Sequence, residues 1–558
     1  TSYDDDDDDD DDKDLKKRRR RRPEVVVVRS DRSGVGKSEH VADLARRRGL
    51  TVVKFPLSGV LARAEIVDAL AALKLDDDTG SRTCLHVDLG QTSDVLLAQI
   101  LLFELALFGM VSGSVLRNRS VAYAPCALLC VEVANTTTGN VLSDAPGGLV
   151  DLFAAVDIDW DNLHRFAVSN QRTSPIQKVC NYLRLLDNDN GDNHPYLTFK
   201  DDDENSQDDE PSQDDDPSHV RRTRAEVIEA RACAELIRSH FAADVTYRTV
   251  DVFVRVLASQ LDTLTTSDFF GPVALEEVVQ FYPAFRGQLL RSLVAMTRRF
   301  AVQSVEAART AQRRSEGAVR EGAVREGSSA APSTAPAAQE DIVAWSTSRH
   351  VLLVLQKGGG LGVLYQNRED VPRDVAEVYE QLGSEPLEDY HSFSSDDLVH
   401  KLDRIVSAKA THPPIPRNYV MTADALLKMA LLFVRLEAGI PAVVVGEAGC
   451  GKTSLIKFLA SRADLPKDNV RVMDFHAGIG QREIVAFVEA ADRKAKEEED
   501  KQVWCFLDEA NTCEYLSLVT EVVCQRSLLG RPLHRNLRFL VAVNPYRRRT
   551  EEALTRTT

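Results

Sequence analysis

Short apolar, β-branched runs alternate with longer stretches of helical period along most of this chain. Val25–Val28 is the first such run, and Cys84–Leu89, Ala127–Val131 and Phe166–Ser169 follow it. Continuous apolar runs of about four to eight residues are the pattern of strands covered on both faces, as in a parallel sheet. Between the first two runs, Glu39 to about Arg48 predicts a helix. The alternation continues to about Leu186 and gives an α/β class. Val95–Gly113 is apolar apart from Gln99, Glu104 and Ser112, and is about long enough to cross a bilayer. A mid-span carboxylate costs about 2.5–3.5 kcal/mol on insertion, so the segment is predicted to be a buried core helix, not a transmembrane span.

Composition divides the chain further. Residues 1–22 are low complexity, with nine aspartates at Asp4–Asp12 and a basic run at Lys16–Arg22. Residues 23–186 form a first α/β core, and the acidic, polar stretch 187–218 predicts a disordered insertion. Residues 219–305 read as a helical lid or insertion. Residues 306–340, with a tandem Glu-Gly-Ala-Val-Arg and an Ala/Pro/Ser stretch, read as a linker. Within 341–418, His350–Leu355 and Leu361–Tyr365 predict a hairpin across the glycines 358–360, in a small helical connector. Residues 419–558 hold a second core, entered by a helix over Thr422–Leu436.

The net charge of −17 argues against a nucleic-acid partner, although local acidic runs inflate it. Nine cysteines without a C-x-x-C pair indicate neither a zinc site nor a disulfide framework, which fits a reducing, cytoplasmic setting. No apolar leader segment opens the chain.

The chemistry concentrates in the second core. Gly446, Glu447, Ala448, Gly449, Cys450, Gly451, Lys452 and Thr453 complete a G-x-x-x-x-G-K-[ST] loop, between the apolar run Pro441–Val445 and a helical pattern from Ser454. Such a loop turns its backbone N–H groups and the following helix N-terminus toward phosphate oxygens. Val503–Leu507 is an apolar strand ending in Asp508 and Glu509. The combination predicts a P-loop NTPase with ATP and Mg²⁺. Lys452 reaches the β/γ-phosphates, while Thr453 and Asp508 serve the metal. Glu509 polarises the attacking water, and Asn544, at the end of Leu537–Val543, orients it.

The same order recurs upstream, with Gly34, Val35, Gly36, Lys37 and Ser38 after the first strand. Aligning the two copies on Ala-Asn sets Glu132 opposite Asp508 and Val133 opposite Glu509. The distance from acid to terminal asparagine is then 38 residues (132 to 170) in one copy and 36 (508 to 544) in the other. Valine cannot act as a base, and Asp31 replaces the first loop glycine. The first copy is therefore expected to hold ATP without hydrolysing it, or to be an empty relic.

Tyr419–Thr422, Leu426–Met429, Gly446–Thr453, Phe506–Asn511 and Asn544–Arg547 resemble the third AAA+ unit of the mysterin family of giant AAA+ RING-type ubiquitin ligases. Gly34–Ser38, His86–Asp88 and Val179–Leu183 resemble the preceding unit. The resemblance covers roughly 24–550, apart from the insertions 187–218 and 306–340. It implies tandem three-layer αβα AAA+ cores with a helical lid, within a dynein-like ring of units in one polypeptide. It further implies cytosolic location, lipid-droplet association and ubiquitin transfer through a zinc-dependent module. Nothing in these 558 residues supplies that module, and the second core is truncated after Asn544, before any lid, second sensor or arginine finger. A non-hydrolysing ATP-binding scaffold, or a dynein- or midasin-type motor without ubiquitin chemistry, remains compatible with the same loop and acids.

Overall fold

The computed structural model describes residues 23–30, 34–59, 63–73, 75, 82–92, 95–112, 121–123, 125–133, 153–158, 171–188, 196–199, 222–241, 245–266, 287–303 and 351–544. Within the last span 358, 382–386, 388, 410, 417–418, 477, 499–500 and 514 are excepted. The chain separates into two compact units. The first is Thr1–Asp159 together with Ser517–Pro532, and the second is Trp160–Leu516 together with Leu533–Thr558.

In the first unit, five strands form a parallel sheet. They are β1 (Glu24–Arg29), β2 (Thr51–Gly59), β3 (Thr83–Thr92), β4 (Leu128–Val133) and β5 (Ala154–Asp157), in the order β2-β3-β4-β1-β5. Val28, Leu85, Val87 and Leu129 are all but fully buried, as expected of central strands covered on both faces. Helices α1 (Lys37–Arg47), α2 (Arg63–Ala72) and α3 (Val95–Phe108) connect them. The sequence missed β2 because Lys54 and Pro56 interrupt its apolar run. The edge beside β1 is taken by β5, while Phe166–Ser169, Asn170 and Asp31 lie outside the described residues.

Helix α3 corrects one expectation. Ala98, Leu101, Leu102 and Leu105 pack inward, yet Leu96 is 67% exposed, and Ile100, Phe103 and Phe108 are exposed as well. An all-round apolar helix against a single sheet buries one face only. Among the described residues no helix is long and apolar enough to cross a membrane.

The second unit carries a parallel sheet of four strands, β8 (Ala442–Val445), β9 (Val470–Asp474), β10 (Val503–Asp508) and β11 (Leu537–Val543), ordered β8-β11-β10-β9. Helices α8 (Lys452–Arg462) and α9 (Gln481–Glu497) lie between its strands in sequence, and α7 (Ala423–Glu437) precedes it. Thr422 caps α7, its hydroxyl accepting from the Ala425 N–H at 3.1 Å. The glycine hairpin forms as expected, β6 (Val351–Leu355) against β7 (Leu361–Tyr365). Helix α4 (Pro175–Asn188), which composition placed at the end of the first core, packs within the second unit through Val179, Cys180, Tyr182 and Leu183, beside α5 (Tyr247–Thr266). Helix α6 (Ser395–Val406) is tied to α8 by a buried ion pair. The Arg462 guanidinium donates two hydrogen bonds to Asp403, and both side chains are under 5% exposed. Tyr419 stacks on Phe458 of α8, with ring centroids 3.9 Å apart and planes parallel within 1°.

Candidate nucleotide sites

The loop of the second unit begins where β8 ends and closes at the N-terminus of α8. Gly449 and Gly451 adopt φ of 82° and 86°, left-handed backbone that a side chain resists. A Cβ on Gly446 would stand 2.7 Å from Cys450 Sγ, so the loop also needs glycine there for space. The loop residues Glu447–Gly451 are exposed and Ser454 follows them on the helix. Lys452 Nζ donates to the carbonyls of Gly446 (2.7 Å) and Glu447 (2.9 Å), and to Asn544 Oδ1 (2.8 Å). The ammonium is thereby held over the loop, on acceptor oxygens whose place an incoming phosphate can take.

Helix α8 also brings Thr453 to the acid strand, where its hydroxyl donates to Asp508 Oδ2 at 2.6 Å. Asp508 is buried, and its other oxygen accepts from the Glu509 N–H at 3.0 Å. Glu509 sits in left-handed backbone at φ 53°, with its side chain exposed beyond the strand end. A residue other than glycine held there is the kind of local strain that functional sites retain. Asn511, not singled out as a site residue from sequence, accepts from the Asn544 N–H at 3.0 Å and so joins the acid strand's end to that of β11. Two hydrogen-bonded pairs, Lys452 with Asn544 and Thr453 with Asp508, thus stand on successive residues of α8, with Glu509 adjoining. One hydroxyl and one carboxylate are hard oxygen ligands suited to Mg²⁺, which draws its remaining ligands from phosphate and water. Clusters of three or more acidic, His or Cys ligands are absent among the described residues.

The first unit differs in wiring. The strand order places Glu132 on β4, directly beside β1, whereas Asp508 lies one strand further out, on β10. The alignment of Glu132 with Asp508 is therefore corrected. The strand in the position of β10 is β3, which ends Val87-Asp88-Leu89-Gly90. The error arose because β2 was not recognised, which shifted the strand count by one. The absence of a base survives the correction, since Leu89 and Gly90 follow Asp88.

Glu132 nevertheless belongs to the loop's surroundings. The Ser38 hydroxyl donates to its Oε2 at 2.6 Å, and His86 Nε2 lies 3.0 Å from the same oxygen. Burial pushes the Glu132 carboxyl up, but His86, Ser38 and Lys37 together outweigh it and hold the group below the usual carboxylate range. Its cross-strand neighbour Asp88 moves the other way, raised by burial and then by the Glu132 charge. Gly34 and Gly36 take φ of 74° and 90°, while Val35 and Lys37 are buried. The thiols bear out their reading as small hydrophobes. Seven of the nine are buried, and burial lifts Cys126 and Cys505 each to about 12.

Comparison with known proteins bears on the second unit. Residues 419–547 match the family described as the RNF213 AAA domain. The chain is 32% identical over 201 residues to E3 ubiquitin-protein ligase RNF213 of Mus musculus, covering 34% of this chain and 4% of that protein. It is 36% identical over 155 residues to the Homo sapiens protein of the same name, covering 26% and 3%. To E3 ubiquitin-protein ligase rnf213-beta of Danio rerio it is 32% identical over 180 residues, covering 30% and 4%. The matched stretch thus spans only about one twenty-fifth of its relatives' length. The resemblance drawn from the segments around 419–453 and 504–547 is borne out as similarity to an RNF213-type AAA region.

Proposed function

We propose that the second unit binds Mg²⁺·ATP and hydrolyses it, as an ATPase region similar to those of RNF213-type ligases. The observation that carries this is the meeting of Lys452 with Asn544 and of the adjacent Thr453 with Asp508 in two hydrogen-bonded pairs, although Asn544 is 92 residues from Lys452. Lys452 holds the β/γ-phosphates, and the N–H groups at the start of α8 receive them. Thr453 and Asp508 are the residues that would hold Mg²⁺, which when bound offsets charge on the transferring phosphoryl group. Glu509 accepts the proton of the attacking water, and Asn544 fixes that water's position. The ADP oxygen leaves as the water oxygen bonds to phosphorus.

The first unit serves as a nucleotide holder without turnover. Lys37 and Ser38 are in place, and no carboxylate follows Asp88 to act as base. Ubiquitin transfer, which the relatives' names state of them, would belong to a longer polypeptide of which this sequence is a part, in the cytoplasm and among neighbouring ring units.

Phosphate release tests the ATPase reading. Glu509→Gln is expected to lower turnover by at least about a hundredfold while ATP binding persists. Turnover unchanged in Glu509→Gln, or abolished in Lys37→Ala but not in Lys452→Ala, would overturn it.

A further inference from the structure

The acid strands of the two units behave differently just past their aspartates. In the first unit β3 runs on as strand through Leu89, Gly90 and Gln91 to Thr92, with Leu57 opposite Leu89 and Gly59 opposite Thr92. In the second, β10 stops at Asp508 and the chain turns at once. Glu509 adopts φ 53° and ψ 35°, and Ala510–Thr512 forms a single 3₁₀ turn. Asp508-Glu509-Ala510-Asn511-Thr512 thus stands against Asp88-Leu89-Gly90-Gln91-Thr92, with threonine at the same offset in both. A threonine there does not by itself bend the chain. The turn goes with the carboxylate proposed as the base.

The peptide groups on both sides of Glu509 are fastened. Its N–H donates to Asp508 Oδ1 at 3.0 Å, and its carbonyl oxygen accepts both the N–H and the hydroxyl of Thr512, each at 2.9 Å. Left-handed backbone at a residue with a Cβ persists where such contacts over-determine it. The Glu509 side chain is exposed, so the direction in which it leaves the chain is set by this backbone. Asn511, in the same turn, serves the other strand end. Its Oδ1 accepts the Asn544 N–H at 3.0 Å, and Asn544 Oδ1 accepts the Lys452 ammonium at 2.8 Å. The register between β10 and β11 ends at Leu507 and Val541. Beyond it, this side chain joins the turn to Asn544.

We infer that Thr512 and Asn511 are positioning residues for hydrolysis at the second site, Thr512 acting through Glu509 and Asn511 through Asn544. The inference rests on the proposed ATPase reading and assigns the turn its part in it. The Thr512 hydroxyl holds the backbone from which Glu509 meets the attacking water. The Asn511 amide oxygen holds the residue that orients that water. One four-residue turn therefore sets base and orienting amide together, and a small displacement of either is costly in rate because the attack needs both in line. Neither residue is needed to hold nucleotide, which falls to the loop and Lys452.

The test uses the full chain in single-turnover phosphate release from radiolabelled Mg²⁺·ATP, which reads slow variants, beside titration with a fluorescent ATP analogue. Thr512→Val keeps the shape and the N–H and loses the hydroxyl. It is expected to slow release by about tenfold or more, with analogue affinity within about twofold of the parent. Thr512→Ser should recover most of that loss. Asn511→Leu should slow release likewise at unchanged affinity. In the Glu509→Gln background Thr512→Val should cost less than about twofold further, and so should Asn511→Leu in the Asn544→Ala background, because each acts through the residue already removed. Full additivity in these backgrounds, affinity lost in step with rate, or Thr512→Ser as slow as Thr512→Val would overturn the inference. The ATPase reading would then stand on the Glu509-dependent turnover of the parent. Turnover that Glu509→Gln leaves unchanged would overturn both.

Discussion

Glu521 is the most telling single perturbation in the first unit. Its carboxyl is raised from 4.5 to about 7, chiefly by burial, against the opposing hydrogen bonds from Gly530, Ser527 and Leu529 and the charge of Lys54. A carboxyl raised on folding keeps its proton in the folded state after the unfolded chain has lost it. Stability is thus full below about pH 4.5, falls as pH rises toward 7, and is lowest above that. At about 1.36 kcal/mol per pH interval of one, the segment Ser517–Pro532 loses about 3 kcal/mol across this window. Glu521→Gln keeps an acceptor for the Gly530 N–H and carries no charge. The variant should therefore match the parent near pH 4.5 and exceed it by up to about 3 kcal/mol at pH 8. Hydrogen exchange of peptides from 517–532, corrected for intrinsic rates between pH 5 and 8.5, reads this locally. Parallel protection curves for parent and variant would refute the reasoning, as would a variant equally weakened at every pH.

Asp403→Ala should destabilise the second unit by about 3–5 kcal/mol in chemical unfolding, because it strands the buried Arg462 charge; Asp403→Leu with Arg462→Met should recover most of that loss. Gly451→Ala has space for its methyl but must hold φ near 86°, at about 1–2 kcal/mol. Titration with an ATP analogue should show at least about tenfold weaker binding, with a melting temperature lowered by only a few degrees. Thr422→Ala removes the cap of α7 and should lower unfolding stability by about 1 kcal/mol, while Thr422→Ser should be nearly neutral.

The sequence by itself determined where the second candidate nucleotide site lies. A phosphate loop is a local object, with glycine spacing, lysine and hydroxyl all inside eight residues, and the acid strand announces itself by an apolar run ending in Asp508-Glu509. It also determined the α/β class and the glycine hairpin, because strand and helix periods are local too. The first unit shows where this stopped. Lys54 and Pro56 hid β2, the strand count slipped, and Glu132 was matched to Asp508. Only the parallel register, which joins residues far apart in sequence, placed it beside Asp88 and Ser38. Packing alone decided that α3 exposes Leu96 and Phe103, since a sheet covers one face of a helix whatever the other face contains. Likewise no local pattern marks Gln525 as Asp88's partner, 437 residues away. That contact exists because Gly530 fits against Val53 and Glu521 ties the segment's turn, and such complementarity is written only in three dimensions.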